Sequence, residues 1–274
     1  MWGSSFILMK RGLEVYPHTQ VAALRITITF LSLLPFAIKG FKKVKPKHWK
    51  YLIASGFLGN GIPAFLFTKA QTKIPSGLSG MLNSLTPIFA LVFGVLFFRT
   101  KTTYLQILGV IIGLIGAIGL ISSNGIDINN TYFSYSLYIV LATICYALSV
   151  NILKSYLKEI NSITITALAF FSIGPFSLIY LFTTDFISIT FSSPKSFIAI
   201  GYILILAVFG TALSVILFNM LIKKTTALFA TSVTYLIPIV AIIWGVLDGE
   251  IFNIYQGICI IITLLGIYFI NKFR

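Results

Sequence analysis

Four asparagines, Asn60, Asn83, Asn151 and Asn219, sit inside long apolar runs of a 274-residue chain, where an amide facing lipid would be costly. Around them stand Trp2, Ser5, Phe67, Tyr146, Thr211 and Tyr235, also within or at the edge of apolar runs. These residue types do not make or break bonds. They donate and accept hydrogen bonds and stack on flat groups, which is the chemistry of reversible binding to a small polar or aromatic molecule. The competing use of the same groups is helix-to-helix hydrogen bonding, worth roughly 0.6 kcal/mol apiece.

Pro87 and Pro238 lie in similar surroundings, LTPIFALVFGVLFF (85–98) and LIPIVAIIWGVL (236–247). A proline inside a helix removes a backbone bond and bends the helix. The bend either frees a carbonyl toward a cavity, forms the pivot of a gate, or is a static kink. Arg25 is the one charge well inside an apolar run. It can attract an anionic group or anchor a helix end. Its position is not matched by a charge at the corresponding place later in the chain, Ala169.

Catalytic and metal chemistry find no pattern. Cys145 and Cys259 are isolated in apolar runs and read as small packing residues. His18 and His48 have no partner at ligand spacing, so no metal and no cofactor is expected. Glu14, Asp127, Glu159, Asp185, Asp248 and Glu250, all the acids, fall in links or at run ends, which argues against a buried carboxylate proton relay. No phosphate loop, HExxH or GxSxG is present.

The elements that must hold these residues follow from composition. The chain is 58% hydrophobic and 9% charged, with mean hydropathy +0.99. A soluble domain carries about 25% charged residues. Only helices whose backbones are satisfied internally can occupy lipid in such continuous runs. A spanning helix needs about 20 residues. The runs fall near 1–13, 17–38, 48–69, 75–98, 103–121, 133–154, 161–184, 196–221, 227–247 and 252–271. The reading is of an all-α polytopic membrane protein of ten helices. The first run is too short to cross: either its true start lies upstream and the helix is truncated, or the chain begins inside the bilayer, or the segment is an outer tail. It has no basic region ahead of its apolar run and no small-residue cleavage site, so it is not read as a signal peptide.

The charge of +14 sits in the links rather than as a basic stripe, so nucleic acid is not an expected partner. Lys39, Lys42, Lys43, Lys45, Lys47, Lys50, Arg99, Lys101, Lys154, Lys158, Lys223, Lys224, Lys272 and Arg274 fall on one side of a ten-span layout. Only Lys10, Arg11, Lys69, Lys73 and Lys195 fall on the other. The first side is expected to be cytoplasmic, with both termini.

The chain also repeats itself. Gly59 and Gly210, Phe67 and Phe218, Ser76-Gly77-Leu78 and Ala227-Leu228-Phe229, and Pro87 and Pro238 are each 151 residues apart. Trp2 and Tyr146, Ser5 and Ser149, Lys10 and Lys154, and Ala23 and Ala167 are each 144 apart. Five spans per copy force the second copy to enter from the opposite face. Residues 1–121 and 133–274 are then two inverted five-helix repeats, joined by the polar link 122–132.

WGSSFILMK (2–10), VAALRITI (21–28), SGLSGMLNSLTPIFALVFG (76–94) and QILGVIIGLIGAIGL (106–120) resemble the first repeat of EamA-type transporters, in the drug/metabolite transporter superfamily. FGTALSVILFNMLIKKTTALFATSVTYLIPIVAIIWGVLDGE (209–250) resembles their second. The resemblance implies a central cavity lined by helices 1, 3, 4, 6, 8 and 9, with 5 and 10 peripheral. It also implies traffic in amino acids, other small metabolites or drugs, often outward. Arg99-Thr100 stands where that pattern has an acid, while the counterpart Glu250 is kept, and Cys259 stands where it has glycine. Both departures read as matters of packing. Gly109, Gly113, Gly116 and Gly119 form a small-residue ridge for close packing within the chain or for a weak homodimer.

The expected function is export of small organic molecules by alternating access across a cytoplasmic membrane. The partners are a small-molecule substrate and lipid. The alternative is a sensor or accessory protein that moves nothing. A passive channel is disfavoured because no span carries a continuous polar stripe.

Overall fold

The computed structural model describes residues 1–122, 131–225, 230, 234 and 236–272, and among these the regular structure is helical throughout. The elements are α1 (Trp2–Leu13), α2 (His18–Phe41), α3 (Pro46–Gln71), α4 (Ser76–Phe98), α5 (Tyr104–Ser122), α6 (Thr131–Tyr156), α7 (Ser162–Phe182), α8 (Pro194–Lys224), α9 (Leu236–Leu247) and α10 (Ile254–Lys272). A short helix, Phe186–Ser192, lies in the α7–α8 link. Among the described residues seven helices, α2 to α8, are long and apolar enough to cross a membrane; α1 and α9 are shorter, as is the apolar stretch Ile254–Ile270 of α10. The chain is an integral membrane protein. Ala227-Leu228-Phe229, Tyr235, and the link residues 123–130, Asp127 among them, lie outside the described residues.

Contacts show how successive helices alternate in direction. At one end Tyr16, after α1, bonds Thr190 in the α7–α8 link at 3.0 Å, and Lys10 reaches Glu250 in the α9–α10 link at 3.0 Å. At the other end Tyr51 of α3 stacks on Tyr156 of α6 at 4.1 Å, and Lys223 of α8 bonds the Ile160 carbonyl at 2.8 Å. The second end carries most of the lysines and is called here the lysine-rich end.

Several helices depart from α geometry at places the sequence explains. Pro63 has no N–H for the Gly59 carbonyl, and the turn Phe57–Gly61 before it widens to π geometry. A second π turn, Val208–Leu213, stands 151 residues later in α8. There Ser214 replaces the proline, and its hydroxyl bonds the Phe209 carbonyl at 2.7 Å. In α4 the stretch Asn83–Leu85 tightens to a 3₁₀ turn just ahead of Pro87. The Asn83 carbonyl that Pro87 cannot satisfy accepts from the Thr86 hydroxyl at 2.9 Å, so the kink does not release it to the cavity. Pro238 lies in the first turn of α9, where proline is tolerated.

The glycine ridge of α5 meets α10. A Cβ at Gly266 would lie 2.5 Å from the Gly109 carbonyl oxygen, and Thr263 and Cys259 fill the space against Gly116. Ile107, Ile111, Ile115 and Ile118 cover the opposite face of α5 and are exposed, as a lipid-facing surface requires.

Candidate functional site

The polar groups of α1, α3, α4, α6 and α8 converge on one cavity of about 100 Å³. A single water needs roughly 10–15 Å³ of such space, so the cavity has room for several waters or a small metabolite. Trp2, Ser5, Asn60, Phe67, Asn83, Tyr146 and Asn219 line it. Phe6 and Met9 of α1, Ser55 and Gly59 of α3, Thr86 of α4, Ser149 of α6, and Phe218 of α8 complete much of the wall.

Two expected members are elsewhere. The Asn151 amide donates to the Ala90 and Ala147 carbonyls, each at 3.0 Å, and so ties α6 to α4. Thr211 donates to the Leu206 carbonyl at 2.9 Å within its own π turn and accepts from Arg25. In both cases a backbone carbonyl lies closer than the cavity, and a short polar side chain takes it. Tyr235 lies outside the described residues. Pro87 and Pro238 are buried in their helices and do not touch the cavity.

The lining also corrects the implied helix set. Arg25 of α2, and Thr166 and Ala169 of α7, reach the wall. Helices α2 and α7 cross closely, with Phe30 packed where a Cβ of Gly174 would be, and each passes beside a π turn. A Cβ at Gly56, just ahead of the α3 turn, would lie 2.5 Å from the Ala169 carbonyl oxygen. Beside the α8 turn, Arg25 Nε donates to Thr211 Oγ1 at 2.7 Å. An inward charge on α2 could have been inferred from the cost of facing lipid, but its depth relative to the π turn could not.

The walls come in matched pairs. Trp2 packs edge-on against Phe218 with centroids 4.8 Å apart; their counterparts Tyr146 and Phe67 stack at 5.9 Å. Ser5 Oγ lies 2.7 Å from where a Gly210 Cβ would be, and Ser149 Oγ crowds the same position on Gly59. Only glycine lets helices approach this closely here. A Gly210→Val substitution is expected to push α1 from α8 and reduce the yield of folded protein in detergent, a cost of about 1–3 kcal/mol for overpacking; size-exclusion chromatography reads it.

Next to Met9 the lysine-poor end is tied by charge. Lys10 Nζ lies 2.5 Å from Asp248 and 3.0 Å from Glu250. Glu250 also accepts from the Ser76 amide and hydroxyl, each at 2.8 Å, and from the Gly77 amide at 2.9 Å. It thereby holds the first turn of α4, where a carboxylate is favoured. Arg11 pairs with Asp248, and with Glu14 at 2.5 Å. Among the described residues every ion pair belongs to this cluster.

Burial pushes the Glu250 carboxyl upward, but the Gly77 amide, Lys10 and Ser76 outweigh it and hold the group below the usual carboxylate range. A lowered pKa means stability that is present above the ordinary value near 4.3 and is lost as pH falls through the lowered one. Closure of this end is therefore expected to be constant from neutral pH down to about 5 and to weaken below about 4. The distance between spin labels placed across this end, measured over that range, checks it.

At the lysine-rich end Lys154, the counterpart of Lys10, donates to the Ile222 carbonyl at 2.8 Å and to the Thr225 carbonyl. Arg99 stands where Glu250 stands at the other end, in left-handed backbone at φ 53°. The Arg99-Thr100 departure thus reaches beyond packing. One end closes on carboxylates and the other includes lysine-to-carbonyl bonds. The Cys259 departure stays a packing matter, its sulfur lying against Gly119.

A model of the EamA-like transporter family matches residues 1–122 and 133–272. A protein described as an uncharacterized transporter of Archaeoglobus fulgidus is 27% identical, over 100% of this chain and 95% of its own. The inner membrane transporter YedA of Escherichia coli K12 is 27% identical over 91% of this chain and 80% of its own. A WAT1-related protein of Arabidopsis thaliana is 30% identical over 47% of this chain. One solved crystal structure shares the fold at TM-score 0.65 and 13% identity, covering 99% of this chain and 95% of the other.

Proposed function

Because this chain belongs to the EamA-like transporter family and is a membrane transporter, we propose that it exports small organic metabolites, amino acids or related compounds or drugs, across the cytoplasmic membrane by alternating access. The carrying observation is the cavity itself, walled by the matched pairs Trp2–Phe218 and Tyr146–Phe67. The matched contacts support two inverted five-helix repeats, 1–121 and 133–274, within a ten-helix fold. The opposite placement of Lys10 and Lys154 supports the inversion, because a repeat in the same orientation would put both at one end.

The lysine-rich end faces the cytoplasm in this reading, with both termini. The halves rock about the cavity, with the Pro87 and Pro238 positions as the pivots. Asn60, Asn83 and Asn219 bond the polar groups of the substrate, and Trp2, Phe67 and Tyr146 enclose its body. The protein works without cofactor or metal, among lipid, as a monomer or weak homodimer, with no part for nucleic acid.

The test is flux. Liposomes carrying the intact chain should exchange a labelled metabolite from a panel of amino acids and organic acids. Asn60→Leu should lower that flux by about tenfold, the cost of leaving a polar substrate group unpaired in a dry site. Undiminished flux in Asn60→Leu would remove the site assignment, and no flux of any panel member would favour the sensor.

A further inference from the structure

We propose that the cavity is an anion site that selects a small carboxylate with an apolar body, with Arg25 as its charge partner. The inference rests on the transporter reading for its purpose, but its chemistry stands on the walls alone. Arg25 is the one charged side chain among the described lining residues. No described carboxylate lies within salt-bridge distance of it. Glu14, Asp248 and Glu250 are committed to the lysine-poor end, and Asp185 accepts from Gln20 at 2.7 Å. A guanidinium stays protonated in any protein environment and is costly to bury without a counter-charge.

The group is held as a recognition element would be. Its Nε donates to Thr211 Oγ1 at 2.7 Å, and the Thr211 proton is engaged by the Leu206 carbonyl, so this oxygen can only accept from Arg25. That anchor fixes the guanidinium plane. Arg25 and Tyr146 both line the cavity, and the outer nitrogens of a guanidinium form a fork that matches the two oxygens of one carboxylate.

The remaining wall decides the rest of the ligand. Trp2, Phe6, Phe67 and Phe218 give the cavity wall its aromatic surface beside a single charge. The α7 counterpart of Arg25 is Ala169, so charge is present on one side only. An ammonium group would meet Arg25 and no described acid. The cavity therefore favours a monoanion over an amine of the same shape, and over a zwitterion.

The experiment uses the full chain, purified in detergent, with equilibrium dialysis of labelled phenylacetate, phenylethylamine and phenylalanine, and of isovalerate as an aliphatic acid. Phenylacetate should bind at least tenfold tighter than phenylethylamine, and tighter than phenylalanine. Arg25→Gln should weaken the acid at least tenfold, and Arg25→Lys should retain part of the affinity. Equal binding of acid and amine by the wild type would overturn the proposal without any variant. So would unchanged acid binding in folded Arg25→Gln, or binding of neither phenylacetate nor isovalerate. Flux of the same probes in liposomes reports separately on the carrier: acid binding with no flux keeps the anion site and removes the transport reading.

Discussion

Glu250→Gln is expected to unlock the lysine-poor end of the bundle. The Glu250 side chain is 6% exposed and holds Lys10, Ser76 and Gly77 at once, so two helix ends, of α1 and α4, depend on one carboxylate of the α9–α10 link. Hydrogen bonds to a charged group are worth about 1.5–3 kcal/mol each. Lys10 is 34% exposed, so its share is discounted for solvent screening. Loss of the charge should cost the closed state about 1–3 kcal/mol, or roughly 5- to 150-fold in the open-to-closed ratio. In a Cys145→Ala, Cys259→Ala background, a cysteine at Phe6 or Met9 should become reactive to an impermeant reagent added on the lysine-poor side. The variant should also lose the response to acid described above. Unchanged labelling would show that the ion cluster is decorative. Because Lys154, the counterpart of Lys10, reaches backbone carbonyls, while Arg99 stands in place of an acid, the two ends are unequal. The resting equilibrium should favour closure at the charged end.

Gly266→Val should have the largest effect on folding. The atoms a side chain would meet at Gly266 are the Gly113 amide and the Gly109 carbonyl oxygen, both backbone, so nothing flexible can yield. Two whole helices must separate instead. In lipid, where apolar surface alone gives helices no reason to associate, this close packing is the main source of α5–α10 affinity. A loss of about 3 kcal/mol or more is expected, seen as aggregation in detergent. Gly257→Ala on the same helix meets nothing within 4 Å and should stay within about 0.5 kcal/mol of the parent. Neither α5 nor α10 lines the cavity, so whatever Gly266→Val protein folds should still bind ligand normally.

Much of this architecture was legible in the residues. Continuous apolar runs could only be helices in lipid, and the 151- and 144-residue offsets paired Trp2 with Tyr146, Phe67 with Phe218 and Lys10 with Lys154 before any contact was known. Seven of the expected binding residues meet in one cavity because a polar group inside a span must face inward. That rule stops at inward. It could not tell the cavity from a neighbouring carbonyl, which is why Asn151 and Thr211 ended on backbone. The π turns were also beyond reach, since the one in α8 has a serine where the one in α3 has a proline. Arg25 depends on that turn for its anchor. Glu250 depends on a meeting of α1, α4 and the α9–α10 link, brought together by the fold from positions up to 240 residues apart.

The most direct test is a pair of distances measured by spin-label spectroscopy in lipid. One pair of labels bridges the lysine-poor end, from Thr72 in the first half to Lys195 in the second; the other bridges the lysine-rich end, from Lys101 to Lys224. On passing from the wild type to Glu250→Gln, the first distance should lengthen while the second shortens, as two halves rocking about a shared cavity require. Ends that widen together, or a lysine-rich end that stays fixed while the other opens, would contradict alternating access.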